Sequence, residues 1–192
     1  METYKDLPIL FFATEQDWAD WLHKNHATSN GVWLKFAKKA SGIASVNHAT
    51  TLDPALCYGW IDGQTKSLDD TFYLQKYTPR RPKSIWSKIN IGKVEKLIAD
   101  GKMQPAGQAV IEAAKADGRW DQAYDSPANI TIPDDFQAVL DANPKAKAFY
   151  ATLNKTNSYA ILWSIATAKK PETRQRRIDK YIDMLNRGEK IH

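Results

Sequence analysis

Apolar positions change their period several times along the chain, and each change marks an element. Thr14 is a good N-cap, with Asp17 three residues on. Trp18, Trp21 and Leu22 then recur at helical spacing, which predicts a helix ending near Asn25. After Gly31, Val32, Leu34 and Phe36 alternate with Trp33 and Lys35, the pattern of a half-buried strand. "SGIASVN" reads as a loop. His48 to Tyr58 reads as a helix ending at Gly59, and Pro54 inside it means that the helix starts at Asp53 or is kinked. "WIDGQTKSL" and "TFYLQKYT" are two strand candidates around a turn at Asp69-Asp70, the second stopped by Pro79 and Pro82.

Ser84 is expected to cap a helix running to about Asp100, with Gly101 just past its end. Its apolar residues fall on two opposed sides: Ile85, Trp86 and Ile89 on one, Ile91, Val94, Leu97 and Ile98 on the other. The first turn is therefore anchored to something different from the rest. Pro105 to Ala116 is a further helix. "DGRWDQAYDSPANITIP" has no period and reads as a linker. Beyond it, helices are expected from Pro133-Asp134, from Asn143-Pro144, from Asn157 as a cap, and from Pro171. Ile178, Tyr181, Ile182 and Leu185 form a clean stripe on the last. The fold class is α+β. A domain over 1–117, with a small, mostly antiparallel sheet and helices, is joined by a linker over 118–132 to a C-terminal helical bundle over 133–192.

Composition adds charge asymmetry. The net charge is +5 over 192 residues. Residues 76–102 carry 8 basic and 2 acidic groups, and residues 169–192 carry 8 and 4, on an otherwise slightly acidic body. Such clusters steer anionic partners. The single cysteine, Cys57, allows no internal disulfide and fits a reducing compartment. The apolar run from Ile9 to Ala13 is too short for a signal-peptide core or a membrane span, so a cytoplasmic location is expected.

The stretch "YTPRRPKSIWSKIN" (Tyr77 to Asn90) holds the most distinctive chemistry. Basic residues before a helix face the positive end of its dipole. With unpaired backbone N–H groups nearby, Arg80, Arg81, Lys83, Ser84 and Ser87 are the parts of an anion site for phosphate, sulfate or carboxylate. Trp86 is the tryptophan best placed to line such a cleft. The competing reading pairs Arg80 or Arg81 with Asp62, Asp69 or Asp70 of the same domain. Asp62 is also a candidate acid/base. Cys57, beside Leu56 and Tyr58, reads as core rather than nucleophile. His23 and His26 lack a third metal ligand nearby. No Walker loop, GxGxxG or GxSxG is present, and neither a cofactor nor a metal is expected. In the tail, Glu172–Arg176 and Asp183–Arg187 have the spacing of helix-stabilising pairs.

Four blocks in order, "ALCYGWIDG", "YTPRRPKSIWSKIN", "GKMQPAG" and "AKKPETRQRRIDKYIDMLNRGEK", resemble the YdeI/OmpD-associated family, also called bacteriocin-protection proteins, over nearly the whole chain. The last block is similar to the C-terminal module that gives the family its name. The resemblance implies a role in protection against cationic antimicrobial peptides or bacteriocins and association with a porin. It carries over no catalytic residue. The expectation is a non-catalytic stress or bacteriocin-resistance protein that binds an anionic ligand or macromolecule through a basic helix N-terminus. The alternatives are an enzyme acting on a phosphorylated or carboxylated small molecule, with Asp62 as acid/base, and a nucleic-acid-binding protein using the two basic segments.

Overall fold

Residues 2–192 are described by the structure, a computed structural model. The elements are β1 (Thr3–Tyr4), β2 (Leu7–Leu10), α1 (Glu15–Asn25), β3 (Val32–Ala37), α2 (His48–Cys57), β4 (Trp60–Ser67), β5 (Phe72–Pro79), α3 (Lys88–Ala99), α4 (Pro105–Ala116), α5 (Asp134–Asp141), α6 (Pro144–Tyr150), α7 (Lys155–Ala166) and α8 (Pro171–Asn186). The strands form one sheet in the order β1-β2-β3-β5-β4, parallel at β2–β3 and antiparallel elsewhere. The architecture is thus mixed α/β with a mostly antiparallel sheet. The chain divides into two units: one reaches Ile85 and resumes over Asn90–Gln122, and the other joins Trp86–Ile89 to Ala123–His192.

In the first unit, alternation sets the two faces of the sheet. Val32, Leu34 and Phe36 turn inward with Tyr77 and Trp60 against Trp18, Leu22, Val46 and Ala55. Thr14 caps α1 with a reciprocal capping box to Asp17. The start of α2 is fixed by Asn47, whose side chain accepts from the Ala49 and Thr50 amides. The helix therefore begins at His48 with Pro54 inside it, which resolves the two starts left open by the sequence. Thr51 Oγ1 meets Tyr77 Oη at 2.7 Å in the core, and burial pushes the Tyr77 phenol well up from its ordinary value.

Glycine permits the close packing of α2 on α4. A Cβ at Gly107 would stand 2.2 Å from the Cys57 carbonyl oxygen, which also accepts from the Gln104 amide at 3.2 Å. The blocks "ALCYGWIDG" and "GKMQPAG" are thus two halves of one packing device.

The helix expected from Ser84 begins instead at Lys88. Ser84 Oγ accepts from the Arg81 amide at 3.0 Å, and the Ser84 amide donates back to the Arg81 carbonyl at 2.9 Å, so the serine closes a turn. The next residues pair with a distant segment. The Tyr124 amide donates to the Trp86 carbonyl and the Lys88 amide donates to the Tyr124 carbonyl, both at 3.0 Å. Backbone groups committed to that bridge are not available for a helical turn.

In the second unit, Phe136, Leu140, Ala146, Ile161, Leu162, Ile165, Ile178, Ile182 and Leu185 share one core. The cap of α7 is Asn154, not Asn157: the Asn154 side chain accepts from the Asn157 amide at 3.0 Å. Asn157 is buried, and its Oδ1 accepts from the Ile191 and His192 amides. No helix among the described residues is long and apolar enough to cross a membrane.

Candidate functional site

Where β5 ends, the chain makes a cleft of about 460 Å³ lined by Lys5, Leu7, Asn30, Lys76, Thr78, Pro79, Arg80, Arg81 and Pro82. Lys5 arrives through the two-residue hairpin joining β1 to β2. Lys5 and Asp6 have φ of 48° and 60°, the left-handed conformation that a tight hairpin demands. Non-glycine residues pay about 1 kcal/mol each for it. Gly31 lets the start of β3 lie against β5, since a Cβ there would come 2.8 Å from Thr78 Cγ2 and 3.0 Å from the Tyr77 carbonyl. Proline at 79 and 82 stiffens the wall.

Four cationic side chains line this cleft, and among the described residues no carboxylate does. Among the described residues, Lys5, Lys76 and Arg81 form no ion pair. The Lys76 ammonium lies over the Trp33 ring at 5.9 Å, and Trp33 meets Tyr4 edge-on at 5.1 Å. Arg81 is exposed. Arg80 is 8% exposed and donates Nη1 to the Ile85 carbonyl at 3.2 Å, so its guanidinium forms a wall of the cleft more than a free arm. Behind it, buried Arg119 donates to the Ser84 carbonyl at 2.9 Å and is held by Asp117, pinning the 81–84 turn.

The residues expected to form the site do not all meet. Arg80 and Arg81 line the cleft; Lys83, Ser84, Trp86 and Ser87 do not. Lys83 is exposed beyond the turn, and Ser84 spends its hydroxyl on Arg81. Trp86 and Ser87 are buried at 2% and 9% exposure, because the bridge to Tyr124 folds them in. The anion site on a helix N-terminus is therefore replaced by a cleft at a strand end. Lys5 and Lys76 escaped the sequence reading because the first lies in a hairpin too short to show a period. Alternation did place Lys35 on the outer side of its strand, and the same rule applied to β5 would have found Lys76.

The acidic candidates are engaged elsewhere. Asp62 receives His48 Nε2 at 3.0 Å and is absent from the cleft. Asp69 accepts from the Thr71 and Phe72 amides at 2.7 Å, and those bonds hold its carboxyl below the usual range. Cys57 is buried, and burial pushes its thiol up to about 11, which leaves it protonated at neutral pH and poor as a nucleophile.

Two family models match the sequence. One, described as a domain of unknown function (DUF8412), spans residues 10–110, more than half of the chain. The chain belongs to that family. The second, described as "Bacteriocin-protection, YdeI or OmpD-Associated", spans residues 129–188. The YdeI/OmpD-associated resemblance is thus matched in the C-terminal segment alone. The blocks at 55–63, 77–90 and 101–107 lie in the DUF8412 domain, as does most of the cleft. No curated protein and no solved structure matches the chain.

Proposed function

We propose that the chain is a non-catalytic protein of the bacteriocin-resistance type whose DUF8412 domain binds an anionic ligand in the cleft of Lys5, Lys76, Arg80 and Arg81, and whose α5–α8 segment serves as a helical bundle. One observation carries the binding reading: Lys5, Lys76 and Arg81 line the cleft and form no ion pair among the described residues. These three side chains favour a negative guest, through charge-assisted hydrogen bonds from groups already in place. A cationic peptide would be repelled by this surface, so the reading concerns an anionic partner of the resistance function. The enzymatic alternative draws less support, because Asp62 pairs with His48 and does not line the cleft.

Thermal melting with phosphate, sulfate and nucleotides tests the proposal. An anion at 100-fold excess over its Kd raises Tm by about 5 °C or more. In Lys76→Ala/Arg81→Ala that shift disappears, while the melt without anion changes by no more than about 0.5 kcal/mol per substitution. Equal shifts in variant and parent would assign the anion to another surface and end the proposal.

A further inference from the structure

The cleft opens onto a longer surface. Strand register fixes which side chains share the sheet face turned away from the Trp18 and Leu22 core. Trp33 stands beside Lys76, Lys35 and Lys66 flank Leu74, Ala37 stands beside Phe72, and Ile61 beside Thr78. Lys76 and Thr78 also line the cleft, so cleft and face are continuous. The cations along it are Lys5, Lys35, Lys66, Lys76, Arg80 and Arg81. No paired position on this face of β3, β4 or β5 carries Asp or Glu. Asp62 belongs to the other face, in register with Tyr77 and bonded to His48. Like charges gathered on one face of a sheet repel one another. Asp69 acts on Lys35 at one end of the face, but Lys5, Lys66, Lys76 and Arg81 form no ion pair among the described residues and complement a string of negative charges.

Aromatic rings alternate with these cations. Lys5 lies over Tyr4 at 5.6 Å, Lys76 over Trp33 at 5.9 Å and Lys35 over Phe72 at 4.3 Å. Phe11, 45% exposed, meets Phe72 edge-on at 6.2 Å. Trp33 is 1% exposed and serves as the floor of the face, but Tyr4 and Phe72 are partly exposed. An exposed cation–π contact is worth less than a stacked base, so Lys5 or Lys35 swinging out to a phosphate can yield its ring to a base. Rings on a sheet reach only unpaired bases, which selects a single strand over a duplex.

We infer that this face binds single-stranded nucleic acid, with phosphates entering the cleft at Lys76 and Arg81 and the strand crossing β3 and β5 toward Lys66. The inference rests on the reading of the cleft as an anion site. Its test is fluorescence anisotropy of labelled oligo-dT and oligo-rU of about 20 nucleotides, longer than the site size of one such platform. The full chain is titrated, with the phosphate melting shift measured in parallel. The oligonucleotides bind with log Kobs falling by about 0.7 per phosphate contact for each unit of log salt. Lys35→Glu/Lys66→Glu weakens them by about 10-fold or more and leaves the phosphate shift intact. Phe11→Ala weakens them by about 5-fold without altering the binding of inorganic polyphosphate. A phosphate shift without oligonucleotide binding, or unchanged affinity in Lys35→Glu/Lys66→Glu, overturns the inference and spares the cleft. Tighter binding of a duplex, or indifference to Phe11→Ala, overturns it too, since charge alone would then explain the affinity. Loss of both signals in the parent chain would sink the cleft reading itself.

Discussion

Residues 76–102 and 169–192 carry 8 basic groups each, and by charge alone they look alike. Their side chains are used differently. In the tail, Arg174 grips Asp135 with two bonds of 2.5 and 2.8 Å and donates Nη1 to the Ile165 carbonyl at 2.9 Å. Arg177 donates to the Ser164 carbonyl, and Arg187 pairs with Glu189. Ser164 and Ile165 belong to the last turn of α7, where carbonyls have no partner within the helix. Arg174 and Arg177 thus tie α8 to α5 and α7, while the exposed Arg187 pair is local. In the other segment Lys93 pairs with Asp53 and Lys88 with Asp125, but Lys76 and Arg81 reach no carboxylate among the described residues. What separates a structural cluster from a binding cluster is the supply of acceptors, not the count of charges.

The largest expected effect lies where the first unit is held without its cations. Gly107→Ala places a carbon against the Cys57 carbonyl, well inside contact distance. Neither helix backbone gives way cheaply, so the cost is about 3 kcal/mol or more. Denaturant unfolding should show the loss, while Lys76→Ala/Arg81→Ala stays close to the parent. A neutral Gly107→Ala would mean that the close approach of α2 and α4 is not what holds this unit, and the comparison would lose its first half.

Local signals were legible where one residue could do only one job. Thr14 with Asp17, Pro105 and Pro171 each marked a helix start that the structure keeps. Ser84 and Asn157 were ambiguous for a physical reason. A serine hydroxyl or an asparagine amide can cap a helix or bond a nearby backbone group equally well. Tyr124, 37 residues from Ser87, decides the first case by pairing with its strand-like segment. The outer sheet face was half legible, since alternation put Trp33 and Lys35 together. Lys76 and Lys66 join them only through register, which no local pattern contains. Of the tail pairs expected at Glu172–Arg176 and Asp183–Arg187, neither is an ion pair among the described residues; Arg187 pairs with Glu189 and feels Asp183 only through space.

Arg177→Ala comes next in size. It removes a charged donor from a carbonyl at the end of α7, and hydrogen bonds to charged groups contribute about 1.5–3 kcal/mol. Arg177 is half-buried, which puts the expected loss at the low end of that range. The phosphate-induced melting shift should not change. A variant that keeps its stability but loses anion binding would reverse the assignment of the tail to structure.

The smallest effect is a pH dependence, and it sharpens the tail's role. The hydrogen bonds from Arg174 hold the Asp135 carboxyl below its ordinary value of 3.8. A depressed carboxylate contributes stability that is fully present above the unfolded value and is lost as pH falls through the folded one. The window is therefore acidic, opening below about pH 5 and closing once Asp135 is protonated in the folded chain. Asp135 is nearly half exposed, so solvent screening limits the pair to about 1 kcal/mol at most. Other carboxylates titrate in the same range, Asp69, Asp141 and Glu189 among them. The difference between parent and Asp135→Asn isolates this one: it should be measurable at neutral pH and vanish in strong acid. A difference that survives there would show that Asp135 acts through shape or neutral hydrogen bonding, and the ion pair would drop out of the account of how the tail uses its charge.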